Sequence, residues 1–204
     1  MNKIEQIFNQ INSPAEFANH YSNYISELVK KIDPKSIETF INAIINTREN
    51  SGIIYFIGNG GSAATANHFV NDLGIGTRSE KKPFKAISLS ANVSVLTAIG
   101  NDNGYDDIFY CQLKNRLNKN DLVVAISASG NSPNLIKAID YANNCGTTTV
   151  GLTGFSGGKL KEISKIKIHV ETEYGEYGPI EDIHMIINHM VGNYFAQYCK
   201  NNEL

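Results

Sequence analysis

Apolar residues in the first fifty positions recur at helical spacing. Ile4, Ile7, Phe8 and Ile11 form one set, Tyr21, Ile25, Leu28, Val29 and Ile32 a second, and Ile37, Phe40, Ile41, Ile44 and Ile45 a third. Two or three helices are predicted over 2–50. Ser51 and Gly52 break the pattern, and Ile53–Ile57 follows as a continuous β-branched run, the mark of a parallel strand covered on both faces. Similar runs lie at Phe84–Leu89, Leu122–Ile126, Thr147–Leu152 and Ile166–Val170, each separated from the next by enough chain for a crossover helix. The prediction is an α/β fold, a doubly wound five-stranded parallel sheet with N-terminal helices. Residues Pro179–Tyr198 close it as a long helix whose inward positions include Ile183, Ile187, Met190 and Tyr194.

Composition narrows the class. Hydrophobic residues at 42% and charged residues at 19% of 204 positions suit one globular domain over 1–204. No run approaches the roughly 18 apolar residues that span a bilayer. The N-terminus has no apolar stretch leading to a small-residue cleavage site. A cytoplasmic protein without a membrane partner is expected. The net charge of −2, with scattered basic residues, gives no footprint for nucleic acid. Cys111, Cys145 and Cys199 are odd in number and lack CxxC spacing, so neither a disulfide framework nor a zinc knuckle is expected, and the three read as buried thiols.

Two loops carry the candidate chemistry. After the first strand comes Gly58-Asn59-Gly60-Gly61-Ser62, opening a helix that contains His68. Glycines let backbone amides approach a ligand, and a helix N-terminus offers unpaired N–H donors and partial positive charge, so the segment is either an anion cradle or a plain tight turn. It has neither GxxxxGK[ST] nor GxGxxG with a downstream acid, which disfavours nucleotides. The second loop, Ser127-Ala128-Ser129-Gly130-Asn131-Ser132, follows the third strand and brings several neutral donors to the carboxyl edge of the sheet, where open α/β folds bind ligands. Ser132 is alternatively an N-cap.

The ordered strings IGNGGSAATANHF, LTAIGNDNGYDDIF, SASGNSPNLIKAI, GLTGFSGGKL and EDIHMIINHM resemble the sugar isomerase (SIS) fold, and within it the phosphoheptose isomerases, over essentially the whole chain. That resemblance implies a flavodoxin-like three-layer sandwich. It implies conversion of D-sedoheptulose 7-phosphate to D-glycero-D-manno-heptose 7-phosphate through an enediol, the first step towards nucleotide-activated heptose for lipopolysaccharide or capsule. It implies one Zn²⁺ per subunit and a homotetramer with active sites between subunits, residues 1–50 serving as a helical extension in the interface. Ser62, Ser127, Ser129 and Ser132, with the Asn59-Gly60-Gly61 cradle, would hold the phosphate, although Ala128 replaces a hydroxyl residue of the family's motif. The implied zinc ligands are His68, Asp72, Glu181 and His189, with Glu181 also on the substrate side; Asp72 stands for the family's glutamate and Glu181 for its glutamine. Asn92, where the heptose enzymes commonly have aspartate, is expected to see substrate hydroxyls, and Gly178 replaces another aspartate.

Spacing adds its own constraints. His68 and Asp72 are four apart on a predicted helix, a separation that chelates a metal or pairs a base with its orienting acid. Glu181 and His189, if both on the last helix, would lie about 12 Å apart along its axis, too far for easy joint coordination. Glu181 is therefore expected at or before the helix start, with Tyr174–Pro179 curling over the site, or else the two serve different subunits. His184 faces another side and reads as a packing residue. His189 alone is either a satisfied core histidine or a catalytic one. An aldose-ketose isomerase needs a base near neutrality, for which His189 is the candidate, with Asp72 or Glu181 assisting at the other carbon. The competing readings are an isomerase of another sugar phosphate and a non-catalytic SIS protein binding a sugar phosphate or the replication initiator.

Overall fold

The computed structural model describes residues 1–201, so the last three residues of the expected 1–204 domain lie outside it. Three N-terminal helices form as the periodicity predicts: α1 (Lys3–Gln10), α2 (Pro14–Val29) and α3 (Pro34–Glu49). Each start is built by local chemistry. Asn2 and Glu5 make a reciprocal capping box on α1, while Ser13 and Asp33 cap α2 and α3 ahead of prolines whose fixed φ suits a first helical position.

The core alternates strand and helix. In order come β1 (Ile54–Gly58), α4 (Gly60–Asn71) with a π-helical turn Asp72–Gly76, β2 (Ala86–Ser88), α5 (Val93–Asp102), α6 (Tyr110–Lys114), β3 (Leu122–Ser127), α7 (Pro133–Asn144), β4 (Thr148–Thr153), α8 (Gly158–Ile163), β5 (Ile166–His169) and α9 (Tyr177–Asn201). The sheet is parallel throughout with strand order β2-β1-β3-β4-β5. The order reverses between β1 and β3, whose Gly58 and Ile126 lie in register, so the two loops singled out above leave the sheet side by side at its switch point.

Both faces of the central strands are covered, which explains the unbroken apolar runs of β1 and β3; at the edges β2 is half-buried and β5 alternates, with Lys167 exposed between Ile166 and Ile168. Phe56, Val124, Leu152 and Ile168 point towards α3, α4 and α9, whereas Tyr55, Ile57, Val123 and Ala125 point towards α6, α7 and α8. Phe69 of α4 stacks on Phe56 with centroids 4.8 Å apart and meets Phe40 of α3 edge-on, locking α4 and the adjacent His68 against β1.

On α9 the inward positions are Ile183, Ile187, Val191 and Phe195; Met190 and Tyr194 are 40% and 45% exposed, because the strict four-residue stripe is the one that faces the sheet and α4. Of the cysteines only Cys199 is buried; Cys145 ends α7 in the open and Cys111 is half-buried. Among the described residues no helix is long and apolar enough to cross a membrane.

Candidate active site

The first loop turns tightly from β1 into α4. A Cβ at Gly58 would stand 2.6 Å from the Ser62 carbonyl oxygen, and Gly60 adopts φ +52°, so both positions require glycine. Asn59 is used to position the loop. Its Oδ1 accepts from the Tyr105 hydroxyl (3.0 Å) and from Asn134 Nδ2 (2.9 Å), and its Nδ2 donates back to Asn134 Oδ1 (3.0 Å).

The second loop is held from beneath. Gly130, at φ +65°, presses on the Gly157 backbone, its carbonyl accepts from Leu160 N–H, and its own N–H donates to Ser127 Oγ at 3.0 Å. Asn131 N–H donates to Ser129 Oγ at 3.2 Å. With their oxygens accepting from the backbone, both hydroxyl hydrogens stay available to an anion. Ser132 occupies the N-cap position of α7 yet makes no capping bond with its side chain, so its hydroxyl is free as well.

Ser62, Ser127, Ser129, Ser132, Tyr177 and Glu181 converge on a cavity of about 170 Å³. That is smaller than the roughly 300–1,000 Å³ of pockets that enclose a whole drug-sized ligand, so it suits one head group. Asn92 stands outside the lining. It caps α5, its Oδ1 accepting from Val95 N–H at 3.1 Å.

A second cluster sits at the far end of α4. His68 Nε2 is 3.4 Å from Asp72 Oδ1 and 3.3 Å from His189 Nε2 of α9, the two rings meeting edge-to-face. All three ligand atoms lie within 4.8 Å of one another. Zinc held tetrahedrally at about 2.0–2.1 Å keeps neighbouring donor atoms about 3.4 Å apart, and two imidazoles with one carboxylate are a competent donor set. The residues fit the ion.

Glu181 is not among them. The helix begins at Tyr177, so Glu181 and His189 both lie within α9, eight residues apart. The Glu181 carboxylate instead rests over Gly61 at the mouth of the hydroxyl cavity. Burial there raises its pKa, with the Asp182 charge adding to the effect. The segment 174–176 precedes the helix, and Tyr177 lines the cavity rather than the histidine cluster.

Three residues had not been singled out. Asn188 and Gly192 of α9 surround Asp72: Asn188 Nδ2 donates to Asp72 Oδ2 at 2.9 Å, and a Cβ at Gly192 would approach Asp72 Cβ to 3.1 Å. A polar Asn188 and a side-chain-free Gly192 on an otherwise apolar stripe were the available signal. Asn134, buried at the start of α7, is the third. His184 is wholly buried as a packing residue, and burial holds its pKa down to about 4.

The comparisons with known proteins agree with this architecture. A family profile described as SIS domain matches residues 16–154, more than half of the chain. The protein is thus of the SIS-domain class, with a hydroxyl-lined pocket at the switch point of its sheet. A phosphoheptose isomerase of Helicobacter pylori strain P12 is 40% identical over 151 residues, which is 74% of this chain and 78% of that one. Solved phosphoheptose isomerases of Neisseria gonorrhoeae and Francisella tularensis match with TM-scores of 0.79 and 0.80 at 28% and 27% identity, covering 90% and 91% of this chain and 98% and 100% of theirs. The chain belongs to the phosphoheptose isomerase family.

Proposed function

We propose that this chain interconverts D-sedoheptulose 7-phosphate and D-glycero-D-manno-heptose 7-phosphate, supplying nucleotide-activated heptose synthesis for a surface polysaccharide. One observation carries the reading: the hydroxyl cavity and the histidine cluster are offset along the same two helices. α4 carries Ser62 in its first turn and His68 two turns on, and α9 carries Glu181 near its start and His189 at its middle. At 1.5 Å per residue the two positions on each helix are separated by about 9–12 Å. An extended open-chain seven-carbon sugar spans such a gap between its phosphate and its first two carbons, whereas a triose phosphate does not.

In this reading Ser62, Ser127, Ser129 and Ser132 hold the phosphate with Asn59, Gly60 and Gly61 shaping the cradle, and Glu181 meets the sugar beside it. His189 takes the proton from C1 and returns it at C2, while Asp72 assists the transfer between the two oxygens. His68, Asp72 and His189 would hold one zinc ion per subunit. When bound, that ion supplies a positive charge against the developing oxyanion. His189 cannot bind metal and move a proton through one nitrogen at once, so proton transfer belongs to the state in which its nitrogen faces substrate.

We further propose a cytoplasmic homotetramer in which helices of the 1–50 extension meet neighbouring subunits. Phe8, 66% exposed on α1, and the open face beside His189 are consistent with a covering partner. The test is an NMR assay of purified, metal-analysed protein with sedoheptulose 7-phosphate, with and without chelator, beside His189→Ala. Aldose formed by the parent and lost in the folded variant is expected. Full activity in His189→Ala ends the assigned role, and no product from protein that still binds the sugar phosphate moves the substrate elsewhere.

A further inference from the structure

The side chain that fixes Asp72 lies outside the ligand group. Asn188 is fully buried on the inner stripe of α9, between Ile187 and Val191. Its Nδ2 donates to Asp72 Oδ2 at 2.9 Å, and because a carboxylate oxygen only accepts, the amide orientation follows from chemistry. Its Oδ1 is buried and has no hydrogen-bond partner among the described residues. An unmet buried acceptor destabilises a fold, so packing gives no reason for an amide here. The bond to Asp72 does.

That bond divides the two carboxylate oxygens. With Oδ2 tied to Asn188, Oδ1 is turned towards His68 Nε2 and accepts otherwise only from the exposed Asn71 amide, at 3.2 Å. Gly192, one turn beyond Asn188, leaves the space in which Asp72 sits, since a Cβ there would stand 3.3 Å from Oδ2. Asp72 itself opens the π-helical turn that follows α4, where the backbone ladder is looser and a short side chain needs an outside partner to hold its direction.

We infer that Asn188 is a positioning residue for the divalent-cation site, holding Asp72 so that one oxygen alone is presented beside His68 and His189. The inference rests on the reading of those three residues as a metal site. Partners behind a ligand that set its orientation typically change metal affinity 10–100-fold when removed.

The test is competitive Zn²⁺ titration against a chromogenic chelator, with Co²⁺ absorption spectra as a second readout, on the parent, Asn188→Leu and His68→Ala. Leucine keeps the same branched heavy-atom skeleton, with bulkier methyl ends, and removes both the bond and the orphan oxygen. Asn188→Leu should bind Zn²⁺ about 10–100-fold more weakly, with an altered Co²⁺ spectrum and a melting temperature unchanged or raised without metal. A merely structural asparagine would instead lower the melting temperature and leave affinity alone. Asn188→Ala, which keeps helix propensity, serves if leucine prevents folding. Parent-like Zn²⁺ affinity in the folded variant, with His68→Ala clearly weaker, overturns the role of Asn188 alone. A parent that binds no better than His68→Ala overturns the metal reading and this inference with it.

Discussion

The Glu181 carboxylate lies directly over the α-carbon of Gly61, so close that a methyl group on residue 61 would occupy the space of its oxygens. The first turn of α4 and the first turns of α9 are thereby coupled through a single glycine at the mouth of the hydroxyl cavity. Helix propensity alone says that alanine at position 61 should help by up to about 1 kcal/mol. The steric relationship says that Gly61→Ala should displace Glu181, raising KM about tenfold or more while the melting temperature holds. Adding Glu181→Ala should restore part of the lost affinity, a coupling that a double-mutant cycle on KM measures directly. Simple additivity of the two changes would show that the contact is not what limits binding.

The serine loop makes a separate prediction. Ser127 and Ser129 both accept from the backbone through Oγ, which leaves each hydroxyl hydrogen to a ligand. A hydrogen bond to a charged group contributes about 1.5–3 kcal/mol, so Ser129→Ala should raise KM about 10–150-fold with kcat within a few-fold. Ser127→Ala should cost stability too, because the buried Gly130 N–H then loses its acceptor. Competition by inorganic phosphate gives an independent reading, and unchanged inhibition in both variants would move the phosphate elsewhere.

His184 sets an acid limit on stability. Its folded pKa, held down to about 4 by burial and further lowered by nearby His169, lies below the ordinary 6.5. Between those values the unfolded chain binds the extra proton, so the stability present above pH 6.5 is lost as pH falls towards 4. At 1.36 kcal/mol per unit this single group accounts for about 3 kcal/mol. Other groups titrate in the same window, so the readout is the difference between parent and His184→Leu in urea unfolding at pH 4 and 7. Parallel pH curves would mean that this ring is not the source.

The sequence alone determined the centre of the sheet, because a parallel strand covered on both faces is a near-continuous apolar run, as in β1 and β3, and that signal is local to five or six residues. It also placed the two loops at strand ends, although a plain tight turn at Gly58 and Gly60 and an N-cap at Ser132 remained equally open from sequence. What it left open follows from geometry that periodicity does not contain. Ile183-Ile187-Met190-Tyr194 and Ile183-Ile187-Val191-Phe195 are equally good helical stripes, and only the packing of α9 against α4 and the sheet chose the second. His68, Asp72 and His189 are separated by up to 121 residues, and the parallel run of α4 beside α9 is what joins them. The same parallel run places Glu181 at the hydroxyl-lined cavity, because eight residues of one helix separate it from His189.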